Sequence, residues 1–373
     1  MNGGDNVKVG IVTIYDNKNL GNRLQNYALQ TILRGYACSV VTIKNKPFSN
    51  SLFQRIKVRI NIGDSIICNH FIKRYRKEKF LRFNKKYISM SKRCYYYNQE
   101  YNSKIEDCDF YCAGSDQVWN PQLVNTGKLH FLGFSPQNCN FSYAASFGTN
   151  AINDEYVDEV RCGLNNIKYI SVREEEGREI VRKIIGRIDA ETLIDPTLYL
   201  SHNEWNEISV KPSKMPVKPY IVLYFLGELN DSRRGKIINM ALKKGLEIID
   251  VLDKSSRYYN DIGPSEFLYL IKNASLVCTD SFHASVFSFI FEVPLAIFDR
   301  EGQHSNMGGR LTNLAEKFGL QRCFAKNDTI PDDVWNADYS FGKEILKDER
   351  KKVDKFLNKV FYTNADSAKN GID

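Results

Sequence analysis

Apolar and polar positions alternate along the chain with two different periods, which predicts strands and helices in turn. Short apolar runs, each followed by a polar loop and an amphipathic segment, recur through the first 200 residues and again after residue 219. The first part predicts strands at 8–13, 39–44, 109–113, 140–144, 169–172 and 190–194, with a helix at 23–34. The second part predicts strands at 220–226, 246–252, 276–279 and 295–298, and helices at 231–244, 264–272 and 283–291. This alternation is typical of parallel sheets covered by helices.

A proline-rich stretch interrupts the alternation and divides the chain. Residues 211–219 contain Pro212, Pro216 and Pro219, and we interpret them as a hinge. The predicted organisation is an N-terminal α/β domain at 1–210, the hinge, a C-terminal α/β domain at 220–344 and a closing helix at 345–362. The expected fold class is therefore α/β, with two doubly wound, Rossmann-like domains that face each other across a cleft.

Composition agrees with an enzyme that has two cores. The chain has 373 residues, of which 43% are hydrophobic and 26% charged, which is enough for two ordinary domains. It contains no run of 18 apolar residues, and the N-terminus enters the first strand without the basic and apolar regions of a signal peptide. We therefore expect a cytoplasmic protein.

Several common cofactor and metal sites are not expected. The nine cysteines are too dispersed for a disulfide scaffold. Cys108 and Cys112 share one face of a predicted strand but have no histidine close by in sequence, so we expect no metal site. The first loop, 17–22, lacks both the three glycines of a dinucleotide turn and the Gly-Lys-Thr of a P-loop.

Positive charge is concentrated in one stretch. Residues 55–93 contain thirteen Lys or Arg against Asp64 and Glu78, a net of +11 in a chain of net +8, so the remainder carries −3. Tyrosines and phenylalanines are interleaved with these charges, which indicates a basic, partly amphipathic insertion at 52–93. Either it docks on an anionic membrane surface, or it is a solvated face that attracts an anionic substrate. No nucleic-acid-binding module is recognisable.

A hydroxyl-rich turn near the C-terminal third suggests phosphate chemistry. The apolar strand 276–279 ends at Asp280, and Ser281 and His283 follow at a predicted helix start. A helix start offers unpaired N–H groups and a positive dipole end to an anion, and a histidine there titrates near neutrality. The alternative is a capped, buried helix in which His283 makes a supporting hydrogen bond.

Five separated stretches of the sequence form an ordered set. They read as follows: Gly21-Asn22-Arg23-Leu24-Gln25-Asn26-Tyr27-Ala28-Leu29-Gln30; Ala113-Gly114-Ser115-Asp116-Gln117-Val118-Trp119-Asn120-Pro121; Ser142-Tyr143-Ala144-Ala145-Ser146-Phe147-Gly148; Ser171-Val172-Arg173-Glu174 with Asp195-Pro196-Thr197; and Asp280-Ser281-Phe282-His283 with Gly309-Arg310-Leu311. Together they cover roughly residues 8 to 320, and in this set the chain resembles polysaccharide pyruvyl transferases.

The resemblance implies a GT-B-like domain pair and a specific reaction. The pyruvyl group of phosphoenolpyruvate is transferred onto two hydroxyls of one sugar, in a capsular or other surface polysaccharide or its lipid-linked precursor, giving a cyclic ketal and phosphate. Phosphoenolpyruvate is then a co-substrate, and no further cofactor is expected. The donor is assigned to the C-terminal domain, with His283 as the acid–base group and Arg173 as a donor-binding arginine. Taken without the family, Arg173 could be a surface ion pair.

The chain departs from the family pattern at one donor position. In yeast-type and some bacterial members an arginine stands two residues before the histidine, where this chain has Ser281. Arg310, after two glycines at another helix start, is the candidate replacement, and Arg300 is the reserve. The alternative is that Arg310 only begins a helix.

Acceptor-binding candidates lie in the first domain. Asn22, Arg23 and Gln25 stand at a predicted helix start and suit sugar hydroxyls or an anion, although Asn22 could instead cap that helix. Ser115 and Asp116 follow another strand.

Three further readings stay open at this level. Trp119, just beyond Asp116, either stacks on a sugar ring or packs in the wall between the domains. A sugar-nucleotide glycosyltransferase would use the same paired-domain cleft. A catalytically silent binding protein of the same family is the third alternative.

Overall fold

The computed structural model describes residues 7–16, 18–46, 66–97, 99–121, 123, 127–301 and 309–369, with the backbone alone at 66–74 and 363–369. Its strands are β1 Lys8–Val12, β2 Ser39–Lys46, β3 Met90–Tyr96, β4 Phe110–Asp116, β5 Asn140–Ala145, β6 Ser171–Val172, β7 Glu191–Thr192, β8 Tyr220–Tyr224, β9 Glu247–Asp250, β10 Leu276–Thr279 and β11 Leu295–Ile297. Its helices are α1 Leu20–Leu33, α2 Ile66–Tyr87, α3 Asp154–Leu164, α4 Glu175–Ile185, α5 Pro196–Tyr199, α6 His202–Glu207, α7 Asp231–Lys243, α8 Pro264–Lys272, α9 Phe282–Phe291, α10 Gly309–Phe318 and α11 Ser340–Lys369.

The strands form two parallel sheets, one in each half of the chain. The first has seven strands in the order β3-β2-β1-β4-β5-β6-β7, and the second has four in the order β11-β10-β8-β9. All the strand pairings are parallel. Both faces of each sheet are buried, as parallel sheets require. The predicted fold class, two Rossmann-like units in a GT-B-like pair, is confirmed.

One hydrophobic core is shared by the two sheets. Alternate residues of β1 and of β8, Val9 and Ile11 in the first and Val222 and Tyr224 in the second, contribute to the same cluster. The intervening strand residues face separate outer cores, as the period of two dictates. The two units are therefore packed together through their inner faces.

Aromatic side chains of the two units contact one another within this shared core. Tyr27 on α1 lies 5.7 Å from Trp205 on α6, and Trp205 lies 4.9 Å edge-on from Phe287 on α9. The indole of Trp205 is anchored by a hydrogen bond to the carbonyl of Thr197 at 3.0 Å. Helices of both units therefore meet on one buried surface.

The C-terminal helix α11 starts in the second unit and packs on the first. Phe361 stacks on Tyr36 at 5.4 Å, and the Asp354 carboxylate accepts a hydrogen bond from the Tyr199 hydroxyl at 2.6 Å. The helix is longer than the predicted 345–362. Residues 211–219, where we predicted a hinge, contain no helix or strand and lead into β8.

Two short strands and one helix start differ from the prediction. The predicted strands at 169–172 and 190–194 reduce to β6 and β7, two residues each. Shortly after β7, Asp195 already caps α5. Helix α1 begins at Leu20 instead of residue 23. The side chain of Asn19 accepts a hydrogen bond from the N–H of Asn22 and caps the helix three residues earlier than expected.

The basic stretch is built into the first unit rather than inserted in it. Residues 52–65 of the predicted insertion lie outside the described residues. The remainder forms the crossover helix α2 and the edge strand β3 of the seven-stranded sheet. The guanidinium of Arg76 is buried and donates to the carbonyls of Val251 at 3.0 Å and Tyr259 at 3.1 Å. Lys79 pairs with Asp261 and Glu266 of the second unit.

We predict that a buried and an exposed arginine of this basic helix differ in their contribution to stability. Arg76→Ala leaves two buried carbonyls without their donor and should lower the free energy of unfolding by about 2–4 kcal/mol. Arg82→Ala removes an exposed side chain of the same helix and should change it by less than about 0.5 kcal/mol. Urea denaturation of both variants measures the difference, and equal stabilities would contradict the docking of α2 on the second unit.

Candidate active site

The carboxyl ends of the strands bring polar side chains from both units to one cleft. Asp116 ends β4, Arg173 follows β6, and His283 lies in the first turn of α9, just after β10. A cavity of about 50 Å³ is lined by Arg173 and Asp195 from the first unit and by Phe282 and Arg310 from the second. Parallel strands place their loops at one sheet edge, which is why sites of this fold form there.

Asp195 is the buried centre of the cluster. Its Oδ2 accepts a hydrogen bond from Arg173 Nη1 at 3.1 Å and from Ser115 Oγ at 3.4 Å, and lies 3.9 Å from His283 Nε2. Its Oδ1 accepts from the N–H and hydroxyl of Thr197, at 3.0 and 2.7 Å, as the cap of α5. Sequence reasoning quoted the Asp195 motif without giving it a role, and the Asp-Pro pair that opens a helix was the available signal.

Arg173 is a permanently charged group whose guanidinium is only partly hydrogen-bonded within the described residues. Its Nε donates to Glu174 at 2.8 Å, and its guanidinium lies over the ring of Phe282 at 5.0 Å. Burial alone would lower the pKa of Arg173, but the carboxylates of Glu174, Asp195 and Asp116 raise it above its usual value. Its Nη2 is buried and has no hydrogen-bond partner within the described part of the chain.

His283 is buried, with its Nε2 directed toward the same carboxylates. The residue is 9% exposed, and Nε2 makes no hydrogen bond with any described residue. Burial lowers the pKa of His283 below 6.5, with Arg173 acting in the same direction, while Asp195 and Asp116 oppose the shift. Burial therefore favours the neutral imidazole in the free protein.

Asp116 stays ionised in spite of its burial. Burial alone would raise the pKa of Asp116, but Arg173, His283 and a hydrogen bond from Asn22 Nδ2 at 3.0 Å outweigh it and lower the pKa. Asp116 therefore supplies a second fixed negative charge beside His283.

Arg310, predicted as the replacement for the missing arginine, lies in this cluster. It is the second residue of α10, and its two terminal nitrogens lie 3.0 Å from the Gln117 amide in the orientation that presents the oxygen. Burial lowers the pKa of Arg310 to about 10, and Arg173 lowers it too, so the group remains charged at neutral pH. Its charge acts in turn on Asp116 and His283.

Ser281 lies in the turn that carries His283, and Arg300, which follows β11, contacts that turn. Ser281 occupies the N-cap position of α9, but its side chain makes no capping hydrogen bond, and its N–H donates to Thr279 Oγ1 at 3.0 Å. Arg300 Nη2 donates to the carbonyl of Asp280 at 2.9 Å. The Asp280 carboxylate accepts from the N–H groups of Leu226 and Gly227 and so fixes the turn against β8.

Of the acceptor candidates, Asn22 reaches Asp116, while Arg23 and Gln25 lie behind it. Asn22 does not cap α1; its Oδ1 accepts from Arg23 Nη2 at 2.6 Å. Arg23 is fully buried and also donates to the Ile14 carbonyl at 3.0 Å, and burial lowers its pKa to about 10. Gln25 Nε2 donates to Thr13 Oγ1 at 3.1 Å.

Ser115 and Trp119 are interior residues of the first unit. Ser115 is fully buried and donates to the carbonyl of Ala144 at 3.0 Å. Trp119 stacks on Phe131 at 5.8 Å and donates to the His130 carbonyl at 3.1 Å. The indole therefore packs in the outer core of the first unit, and neither predicted alternative, a sugar platform or an interdomain wall, describes it.

No group of three metal-ligating side chains converges in the described ranges. Among those residues, no helix is both long and apolar enough to cross a membrane.

A glycine on α1 leaves room for the histidine. A Cβ built on Gly21 would lie 2.2 Å from His283 Nδ1 and 2.5 Å from its Cγ. Gly21→Ala should therefore displace the imidazole and lower the free energy of unfolding by about 1–3 kcal/mol. Gly235→Ala, within α7 and with no atom within 4 Å of the added methyl, should stabilise by up to about 1 kcal/mol. The midpoints of chemical denaturation measure both effects. Stabilisation by both substitutions would contradict the close approach of Gly21 to His283.

The pKa of His283 should shift in opposite directions when its positive neighbour Arg173 and its negative neighbour Asp195 are neutralised. We expect a pKa below 6.5 in the wild type, a higher pKa in Arg173→Met and a lower pKa in Asp195→Asn, because the first change removes a positive charge and the second a negative one. Histidine NMR measures this, with His283→Gln to assign the resonance. A wild-type pKa at or above 6.5, or shifts of the same sign in both variants, would refute the arrangement.

Comparison with known proteins places the chain in a family. No curated protein matches it. Of the solved structures that match, a putative UDP-N-acetylglucosamine 2-epimerase from Listeria monocytogenes has 10% identity and a TM-score of 0.48, over 95% of this chain and 97% of that one. The UDP-GlcNAc 2-epimerase from Neisseria meningitidis has 9% identity and a TM-score of 0.42, over 95% and 100%. The sequence model of one family, polysaccharide pyruvyl transferase, matches residues 19–302, well over half of the chain. The chain belongs to the polysaccharide pyruvyl transferase family.

Proposed function

We propose that this protein transfers the pyruvyl group of phosphoenolpyruvate onto two hydroxyls of one sugar, in a capsular or other surface polysaccharide or its lipid-linked precursor. Family membership supports transferase activity. The observation that carries the donor assignment is a pair of buried nitrogens, Arg173 Nη2 and His283 Nε2, which have no hydrogen-bond partner among the described residues. Both side chains approach Asp195 Oδ2, at 3.1 and 3.9 Å, and both are affected by the charge of Arg310. Polar atoms in such surroundings are costly unless a ligand satisfies them.

The reaction balances without an outside proton source. One hydroxyl of the sugar adds to carbon 2 of the donor while carbon 3 gains a proton and becomes a methyl group. The bond from carbon 2 to the phosphate oxygen then breaks, and the second hydroxyl closes the ketal at carbon 2. Of the two hydroxyl protons, one ends on carbon 3 and the other on the released phosphate. The site must therefore transfer protons from the sugar hydroxyls to carbon 3 and to the phosphate, a role that suits one histidine.

His283 is the group that we assign to this proton transfer. As a neutral imidazole it can accept the proton of an acceptor hydroxyl, and the resulting imidazolium is stabilised by Asp195 and Asp116. An anionic donor bound beside His283 would raise its pKa back toward neutrality. The imidazolium formed by accepting the hydroxyl proton can then deliver that proton to carbon 3.

Two arginines and a helix start are assigned to the donor. Arg173 offers Nη2, and Arg310 offers a second cation from the opposite unit, so the carboxylate and phosphate of the donor can be bound from two sides. Ser281, at the start of the ten-residue helix α9, adds a hydroxyl and the helix dipole. Arg310 thereby takes the part of the arginine that other members carry two residues before the histidine.

The acceptor is assigned to the first unit. Asn22 and Asp116 present polar groups at the carboxyl edge of the first sheet, next to His283. Arg23 is buried and positions Asn22 through its hydrogen bonds to Oδ1, whereas the buried side chains of Ser115 and Gln25 bond to Asp195 and Thr13. No cofactor besides the co-substrate enters this scheme, and a phosphoenolpyruvate donor places the reaction in the cytoplasm.

Phosphate release from phosphoenolpyruvate, measured with a panel of sugar and lipid-linked sugar acceptors, tests the proposal. We expect acceptor-dependent release that falls by at least about a hundredfold in His283→Gln. Arg310→Gln should raise the KM for phosphoenolpyruvate more than about tenfold, since it removes a charge-assisted contact. Arg182→Gln, an exposed change on α4, is the matched control and should leave both constants unchanged.

Two results would overturn the proposal. Release that persists in His283→Gln would remove the assigned proton-transfer group. Binding of a nucleotide sugar without any release from phosphoenolpyruvate would replace pyruvyl transfer by glycosyl transfer on the same scaffold.

A further inference from the structure

One face of α2 presents basic and apolar side chains together to solvent. We define the basic face as Tyr75, Lys77, Leu81, Arg82, Lys85 and Lys86, all of them exposed. We propose that this face docks the protein on an anionic lipid surface. The inference is independent of the proposed reaction, because none of these residues belongs to the candidate active site.

The side chains on the opposite side of α2 pack and bond within the protein. Phe80 and Phe83 are buried in the shared core. Arg76 and Lys79 bond to groups of the second unit. Contacts with the shared core and the second unit therefore account for these four side chains. The contacts of Arg82 with Glu78 and of Lys86 with the Tyr87 ring, by contrast, lie along α2 itself.

Helical geometry places the basic face on one continuous surface. At about 100° per residue, its six positions fall within an arc of about 180°. Leu81 is 45% exposed and Tyr75 60% exposed within that arc, and the side chain of Arg82 is 77% exposed. Glu78, the one acidic residue of α2, falls within the same arc and lies 4.0 Å from Arg82, and the four basic residues of the face outnumber it. The arc therefore carries net positive charge around two apolar side chains.

The mixture favours a lipid surface over a soluble polyanion. A cation-rich helix face attracts either one, but exposed apolar side chains gain free energy only where they can enter the acyl boundary below the headgroups. Lys92 and Arg93, exposed on the neighbouring edge strand β3, extend the positive surface. Since the chain outside 55–93 carries a net charge of −3, an anionic membrane would attract this side and repel the remainder.

The position of α2 would orient the cleft relative to that surface. Arg76 donates to the carbonyl of Val251, the residue directly after β9, and to Tyr259 in the following loop. Both lie beyond the carboxyl end of a strand of the second sheet, the same edge that carries His283 after β10. A protein docked through the basic face would therefore bring the cleft edge of its second unit close to the membrane.

Partitioning of the full chain onto vesicles tests the inference. The vesicles contain 30% phosphatidylglycerol in phosphatidylcholine, with pure phosphatidylcholine as the neutral reference, in about 0.05 M salt. One basic residue near an anionic surface contributes about fivefold in partitioning, so Lys77→Gln/Arg82→Gln/Lys85→Gln should weaken binding about a hundredfold. The control Lys211→Gln/Lys218→Gln/Lys243→Gln makes the same change in net charge at exposed positions elsewhere and should retain most of the binding.

The apolar contribution needs its own pair of variants. Leu81→Gln should weaken vesicle binding by about threefold to tenfold, whereas Leu242→Gln, at a position 72% exposed on α7, should not. No sedimentation of the wild type with anionic vesicles, or equal loss in the two triple variants, would overturn the proposal. So would equally tight binding of the wild type to heparin with no effect of Leu81→Gln, which would assign the face to a soluble polyanion.

Discussion

The buried carboxylate of Asp195 is the contact on which the geometry of the site depends. It lies between the guanidinium of Arg173 in its own unit and the imidazole of His283 in the other, at 3.1 and 3.9 Å. A buried charge is tolerated only with close partners, and Asp195 has a guanidinium, two hydroxyls and one backbone N–H around it. This arrangement fixes the guanidinium of Arg173, whose Nη2 has no hydrogen-bond partner among the described residues, and it keeps a negative charge beside a histidine whose neutral form is favoured by burial.

The contact can exist because the two units share one core. Tyr27, Trp205 and Phe287 connect α1 to α9, and α11 returns from the second unit to pack on the first. The close approach of Gly21 to His283 is a further contact between the units, on the side of the imidazole away from Asp195. His283 is thereby held between a helix of the first unit and a carboxylate of the same unit. A preorganised site of this kind needs little rearrangement when its charged ligand arrives.

The sequence was sufficient for the architecture and for most of the residues in the cleft. The strand periods predicted ten of the eleven described strands, because most of these parallel strands are apolar runs buried in the sheet. The edge strand β3 was not predicted, because its charged and exposed residues interrupt the apolar pattern. His283 and Arg310 were named because they stand at predicted helix starts, and Arg173 because it matches an arginine of the family pattern. Asp195 was missed as the centre of the site because its role arises from contacts with residues distant in sequence. The cap of α1 was misplaced because Asn19 and Asn22 are equally good capping residues, and only the fold decides which is used. The basic stretch looked like an insertion because charges on its outer face hide the buried pattern of Phe80 and Phe83.

The central claim is that an anionic donor binds against a neutral His283, in a cluster where carboxylates outnumber guanidinium groups. The carboxylates are Asp116, Asp195 and Glu174, and the guanidinium groups are Arg173 and Arg310. Binding of phosphoenolpyruvate should then raise the pKa of His283 toward neutrality, so that a fraction of the molecules take up a proton while the rest keep the neutral imidazole that the reaction needs. Calorimetric titration of phosphoenolpyruvate at pH 7.5, in two buffers of different ionisation enthalpy, measures that uptake directly. The account predicts a buffer-dependent enthalpy that corresponds to net proton uptake and that is lost in His283→Gln. An enthalpy independent of the buffer, or an uptake unchanged in His283→Gln, would contradict it.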